Sequence, residues 1–126
     1  MNPVFKICRH CGNLVGMIRD AGVPMSCCGQ EMETLKPNTV DASGEKHVPV
    51  VAVEGNRVEV KVGSVTHPML PEHSIQWIAL ETEHGMQRKL LQPGEAPAAA
   101  FLLTEDDKPV AAYEFCNLHG LWKTEI

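Results

Sequence analysis

The sequence predicts an all-β protein, with an antiparallel β-sandwich over about the last 90 residues and a short cysteine-rich segment before it. Three observations carry this. Short runs rich in β-branched residues recur from Val48 onward, separated by glycine, proline and aspartate, and no long helical periodicity competes with them. Hydrophobic residues make up 44% of the chain but aromatic residues only 5%, so the core must be aliphatic, with valine prominent, which favours strands. Four of the five cysteines fall within the first 36 residues, where apolar runs are short and a metal staple would explain stability.

The length of 126 residues by itself fits one ordinary domain as well as a very small domain followed by a sandwich. In the first segment only Val4 to Ile7 and Leu14 to Ile18 are apolar runs, and closely spaced glycines separate the cysteines. Lys36-Pro37-Asn38-Thr39-Val40-Asp41-Ala42-Ser43-Gly44 is rich in turn and linker residues and reads as a boundary. Val48 to Glu54, the turn Gly55-Asn56, and the alternating Arg57 to Val62 then form a hairpin. Further strands are expected at Ile75 to Glu83, Met86 to Leu91, Ala98 to Leu103 and Val110 to Phe115. Their punctuation is His84-Gly85, Pro93-Gly94 and Asp106-Asp107-Lys108-Pro109.

The N-terminal cysteines have metal-site spacing. Cys8-Arg9-His10-Cys11 is a C-x-x-C knuckle, which lets two thiolates converge on one ion, and the adjacent pair Cys27-Cys28 follows after fifteen residues. Adjacent cysteines must splay to reach a single ion, so the site is expected to be distorted. Tetrahedral sulfur fits zinc and iron equally. His10 lies inside the knuckle, but four thiolates already fill the shell.

The second constellation is His47, His67, His73, Cys116 and His119, all at expected turns or strand ends. His47 stands at the mouth of a strand, and His67 and His73 share the proline-stiffened loop His67-Pro68-Met69-Leu70-Pro71-Glu72-His73. Cys116-Asn117-Leu118-His119 closes the strand that precedes it. Imidazole and thiolate together suit a transition metal, and five donors are one more than tetrahedral zinc takes. A tight C-x-x-H turn would also aim the backbone N–H groups of residues 117–119 at the Cys116 sulfur. His84 sits in a hairpin turn without this context.

A net charge of −5 with no basic run argues against nucleic acid or an anionic membrane as partner. No segment approaches the roughly 18 apolar residues of a membrane span, and the first residues do not read as a signal peptide. The expectation is a cytoplasmic protein, where clustered thiols hold metal more often than they form disulfides.

Taken together, these motifs resemble desulfoferrodoxin, a two-iron superoxide reductase, over essentially the full chain. Cys8-x-x-Cys11 with Cys27-Cys28 is similar to its desulforedoxin-type iron site. Gly44-Glu45-Lys46-His47-Val48-Pro49, His67-Pro68 through His73 to Ile78, and Cys116-Asn117-Leu118-His119-Gly120-Leu121-Trp122 resemble its catalytic iron site. The resemblance implies two iron ions per chain, one bound by the four cysteines and one by four equatorial imidazoles with axial Cys116. It implies that Glu45 occupies the open position in the oxidised state and that Lys46 attracts superoxide. It also implies a desulforedoxin-like domain over residues 1–36, an immunoglobulin-like sandwich over residues 37–126, a homodimer and a rubredoxin-like electron donor. The competing readings are a pure electron-transfer protein and a zinc-binding interaction module. Colour separates the last, since zinc protein is colourless.

Overall fold

A computed structural model describes residues 3–126; Met1 and Asn2, the start of the expected N-terminal domain, lie outside the described residues. The chain divides into two compact units, Met1–Lys36 and Pro37–Ile126. Among the described residues no helix is long and apolar enough to cross a membrane.

In the first unit β1 (Val4–Ile7) pairs antiparallel with β2 (Leu14–Met17) on one side. Two further short strands, β3 (Ser26–Cys27) and β4 (Gln30–Glu31), form a hairpin, and β5 (Glu33–Thr34) flanks β1 on its other side. Its buried apolar residues are Phe5, Ile7, Cys8 and Met32, a core too small to hold such short strands unaided. The β3–β4 turn has Cys28 at φ 54° and Gly29 at φ 72°, the paired left-handed residues of a type I′ hairpin. That turn answers the problem of the adjacent cysteines: Cys27 ends a strand while Cys28 adopts a left-handed conformation, so both thiols reach one point.

The second unit opens with α1 (Gly44–His47), a single helical turn. Next come β6 (Pro49–Glu54), β7 (Arg57–Val62), β8 (Ile75–Thr82) and β9 (Met86–Leu90). β10 (Ala98–Leu102), β11 (Pro109–Cys116) and β12 (Gly120–Glu125) complete it. One sheet has the order β10-β7-β6 and the other β12-β11-β8-β9, every pairing antiparallel. The chain changes sheet at β7–β8, β9–β10 and β10–β11, the immunoglobulin-like arrangement of two packed sheets. Val58, Val60 and Val62 alternate inward along β7 and meet Ile78, Leu80 and Ala112 in the core.

Two local expectations needed correction. His47 does precede a strand, but β6 starts at Pro49 and not at Val48, and the residues leading into it form the helical turn α1, which Val48 ends. The last six-residue strand, β12, was not anticipated.

Gly63, at the end of β7, has φ +83°, and a Cβ there would stand 2.4 Å from the Val65 carbonyl oxygen and 2.6 Å from that of Glu45. The Glu45 carbonyl accepts hydrogen bonds from Val65 N–H (3.0 Å) and Ser64 O–H (3.3 Å), so α1 is docked onto the β7 exit by backbone contact. Gly63→Ala is expected to destabilise this unit by about 3 kcal/mol, from left-handed strain and overpacking together. Urea denaturation measures it, and a loss under about 0.5 kcal/mol would show that the backbone yields.

Candidate metal centres

All five cysteines are free thiols. In the first unit the sulfurs of Cys8, Cys11, Cys27 and Cys28 lie within 4.8 Å of one another. Cys11 Sγ is 3.6 Å from Cys27 Sγ, which is 3.9 Å from Cys28 Sγ. A tetrahedral ion with bonds of about 2.3 Å sets its sulfurs about 3.8 Å apart, so the cage has the size of a tetrathiolate site. Backbone N–H groups of the knuckle, first that of Cys11 and then that of His10, hold the Cys8 thiol down to about 6. Asn13 donates its backbone N–H to Cys11 Sγ (3.4 Å) and its amide to Cys27 Sγ (3.7 Å). In the free-thiol state, Cys28 is pushed up to about 12, because its S–H hydrogen-bonds first to Cys11 and then to Cys27, which favours the protonated form. His10 is exposed.

In the second unit His47, His67, His73 and His119 form a closed ring. Successive ring centroids are 4.8 Å (47–67), 4.7 Å (67–73), 5.2 Å (73–119) and 4.8 Å (119–47) apart, each neighbour near-perpendicular to the next. Cys116 Sγ lies 3.5 Å from His67 Nε2 and 3.9 Å from His119 Nδ1, which are opposite corners. The other two corners are filled by imidazoles, so the sulfur stands off the ring, toward its axis. It is carried there by the last residue of β11, where the β8 partner skips from Trp77 to Ile75, a bulge that re-aims the strand end.

The protonation pattern decides what the ring can hold. His47 Nδ1 lies 2.7 Å from the Ser43 carbonyl and His67 Nδ1 lies 2.6 Å from that of Pro68. A carbonyl only accepts, so each Nδ1 carries the proton and each Nε2 points a lone pair inward. Those two Nε2 atoms are 3.2 Å apart, and His119 Nδ1 is 3.1 Å from His47 Nε2. Facing lone pairs repel unless a cation lies between them, and adjacent donors about 3 Å apart match bonds of 2.0–2.1 Å to one ion. His73 Nε2 is buried with no hydrogen-bond partner among the described residues. Burial lowers the proton affinity of His47, His67 (to about 4) and His73, which keeps them neutral and ready to ligate at pH 7. This donor set and the four-cysteine cage fit two iron centres.

Burial raises the Cys116 thiol, while the backbone N–H groups of Leu118 and His119 act against that rise by bonding its sulfur. Asn117 N–H does not join them; it donates to the Ser74 carbonyl at 3.3 Å. Glu45 and Lys46 are exposed on α1, and the Lys46 charge lowers the proton affinity of both His47 and His73. His84 is exposed in the β8–β9 turn, its backbone N–H on Asp107.

Three neighbours of the ring were not legible as such. The Trp122 indole stacks on His47 at 5.1 Å and donates Nε1–H to the His119 carbonyl at 3.0 Å, bracing two ring members. Glu114, fully buried with neither carboxyl oxygen bonded among the described residues, is pushed up to about 9 by desolvation. The Asn117 side chain bridges two ligand-bearing segments. A buried acid two residues before a cysteine is a weak sequence signal, and the other two contacts are set by tertiary placement.

The Desulfoferrodoxin family profile matches residues 39–125. Desulfoferrodoxin of Nitratidesulfovibrio vulgaris is 46% identical over 118 residues, covering 94% of this chain and 92% of that protein. A superoxide reductase of Pyrococcus horikoshii is 38% identical over 111 residues, covering 75% of this chain and 95% of its own. Among solved structures, the superoxide reductase from Treponema pallidum superposes with a TM-score of 0.85 at 46% identity, over 99% of this chain and 100% of that one. With the profile spanning most of the second unit and relatives matching along nearly the whole length, the chain belongs to the desulfoferrodoxin family.

Proposed function

We propose that the chain is a superoxide reductase, which reduces superoxide by one electron and two protons to hydrogen peroxide and so protects against oxidative stress. The observation that carries this is the closed ring of four imidazoles with a buried thiol toward its axis. Neutral imidazoles with one thiol are the donor types of a redox-active transition metal rather than of calcium or magnesium. Relatives named superoxide reductase support the reading. Residues 1–36 then form a desulforedoxin-like domain whose iron is held by Cys8, Cys11, Cys27 and Cys28. Residues 37–126 form the catalytic domain, with His47, His67, His73, His119 and Cys116 as the ligands.

The four histidines and Cys116 would hold a ferrous ion, which would supply the single electron. The other tasks fall to the chain's own residues. Because the imidazoles are neutral and only Cys116 contributes a negative charge, the donor set leaves a dication's charge half uncompensated, which favours an anionic substrate. Leu118 and His119 N–H groups draw density from the Cys116 sulfur and would limit what it donates to a bound metal. Glu45, two residues before His47, would supply a carboxylate to the oxidised metal.

Lys46 solves a charge problem. A chain of net charge −5 repels superoxide at long range, but within a Debye length of about 8 Å a local ammonium dominates. Lys46→Ala is expected to slow the second-order reaction about tenfold in pulse radiolysis, and more than Glu45→Ala does. Equal rates for wild type and Lys46→Ala would remove the steering role.

The reading extends to a cytoplasmic homodimer that accepts electrons from a rubredoxin-like protein. Thiols gathered for metal, in an odd total of five, fit a reducing compartment, and exposed Val50 and Val53 on the edge strand β6 offer apolar surface to a second copy. The function is tested by metal analysis with a superoxide assay. Two irons per chain and peroxide without oxygen release are expected; stoichiometric oxygen release would mean dismutation instead.

A further inference from the structure

The ring members are not held alike. His47 and His67 are each oriented by an Nδ1 hydrogen bond to a backbone carbonyl, and Trp122 braces His47 and the His119 backbone. The His73 ring has no such bond among the described residues and is only half-buried. Its position therefore depends on the backbone that carries it. That backbone is fixed at two places. A reciprocal pair joins Leu70 and His73, with N–H to carbonyl distances of 2.9 and 3.1 Å. The other fixing point is Asn117, whose side-chain amide donates to the Glu72 carbonyl at 2.9 Å and whose Oδ1 accepts Ser74 N–H at 3.0 Å. Asn117 N–H adds a third bond, to the Ser74 carbonyl at 3.3 Å.

We infer that Asn117 is a positioning residue for His73: its side chain clamps the two residues that flank this imidazole to the turn carrying Cys116 and His119. The inference rests on the reading of the ring as an iron site. A carboxamide suits the role because it offers one donor and one acceptor at once, matching a carbonyl before His73 and an N–H after it. The amide links segments 43 and 45 positions apart in sequence, so the fourth corner of the ring is set by the same residue that follows the axial cysteine. Partners beyond the ligands typically alter metal affinity 10–100-fold. An exposed clamp that competes with water belongs at the low end of that range.

The test uses the full-length chain loaded with Fe(II) and titrated with a ferrous chelator, reading both sites by their visible bands after oxidation of aliquots. Asn117→Ala is expected to weaken iron binding at the histidine site about tenfold and to leave the tetrathiolate site unchanged. Asn117→Asp, which keeps the acceptor for Ser74 N–H, is expected to lose less. The thiolate-to-iron band of Asn117→Ala should shift in the direction given by His73→Ala. In a His73→Ala background the Asn117 substitution should have no further effect on affinity. Wild-type affinity in Asn117→Ala, an equal loss at both sites, or a loss undiminished without His73 would each overturn the inference. Wild-type protein that binds no iron at the histidine site would instead sink the functional reading beneath it.

Discussion

Replacing Cys8 with serine is expected to melt the first unit while the sandwich stays folded. Among the described residues only Phe5, Ile7, Cys8 and Met32 carry its apolar core, and its strands are four residues long or shorter. A segment of this size cannot recover its backbone entropy by burial, at about 1–2 kcal/mol for each ordered residue. Structural metal sites supply on the order of 10 kcal/mol to small folds. Cys8 is 2% exposed, and serine there removes a thiolate ligand while leaving the backbone N–H groups of Cys11 and His10 facing a neutral hydroxyl. Hydrogen exchange on the full chain reads the two units separately. Amides of Val4–Ile7 should lose protection by more than about a hundredfold, while those of Ile75–Thr82 keep theirs. Unchanged protection in β1 with the tetrathiolate band gone would show that the unit does not depend on its metal.

What the sequence shows of this protein depends on whether the signal is chemical or positional. Val58, Val60 and Val62 announce their strand because one face is buried and the period is two. β8 and β11 are buried on both faces, so β-branched and apolar content marked them rather than alternation. The helical turn at Gly44–His47 is too short for any periodicity, and β12 was hidden by Gly120 at its start and by polar residues at its end. The histidines and cysteines stood out by identity, since few other side chains offer nitrogen or sulfur lone pairs to a metal, and the structure brings all nine into two clusters. What supports them was not legible. Gly63 matters because the Glu45 carbonyl passes over it, and Asn117 because its amide reaches across the fold. Contacts of that kind follow from how strands pack and leave no local pattern.

The second large effect is expected from Cys116→Ser, which should remove the iron of the histidine site and lower superoxide consumption at least about a hundredfold. Serine is a hard alcohol whose proton is far less acidic than that of a thiol, so it offers no anionic soft ligand at neutral pH. Its shorter Cβ–Oγ bond also draws the donor back from the ring axis, where the sulfur now reaches both His67 and His119. The two backbone N–H groups that face the sulfur would then solvate a neutral hydroxyl and stabilise no charge. Because Cys116 is fully buried in the sandwich core, serine also costs about 1–3 kcal/mol in burial of a polar group. That cost is separable: the amides of Ile75–Thr82 should remain protected and the tetrathiolate band unchanged, while the thiolate–imidazole band disappears. Persistence of that band in Cys116→Ser would mean that the thiolate ligand is another residue. Persistence of activity without it would mean that the four imidazoles alone suffice, and the donation attributed to the sulfur would have to come from another group.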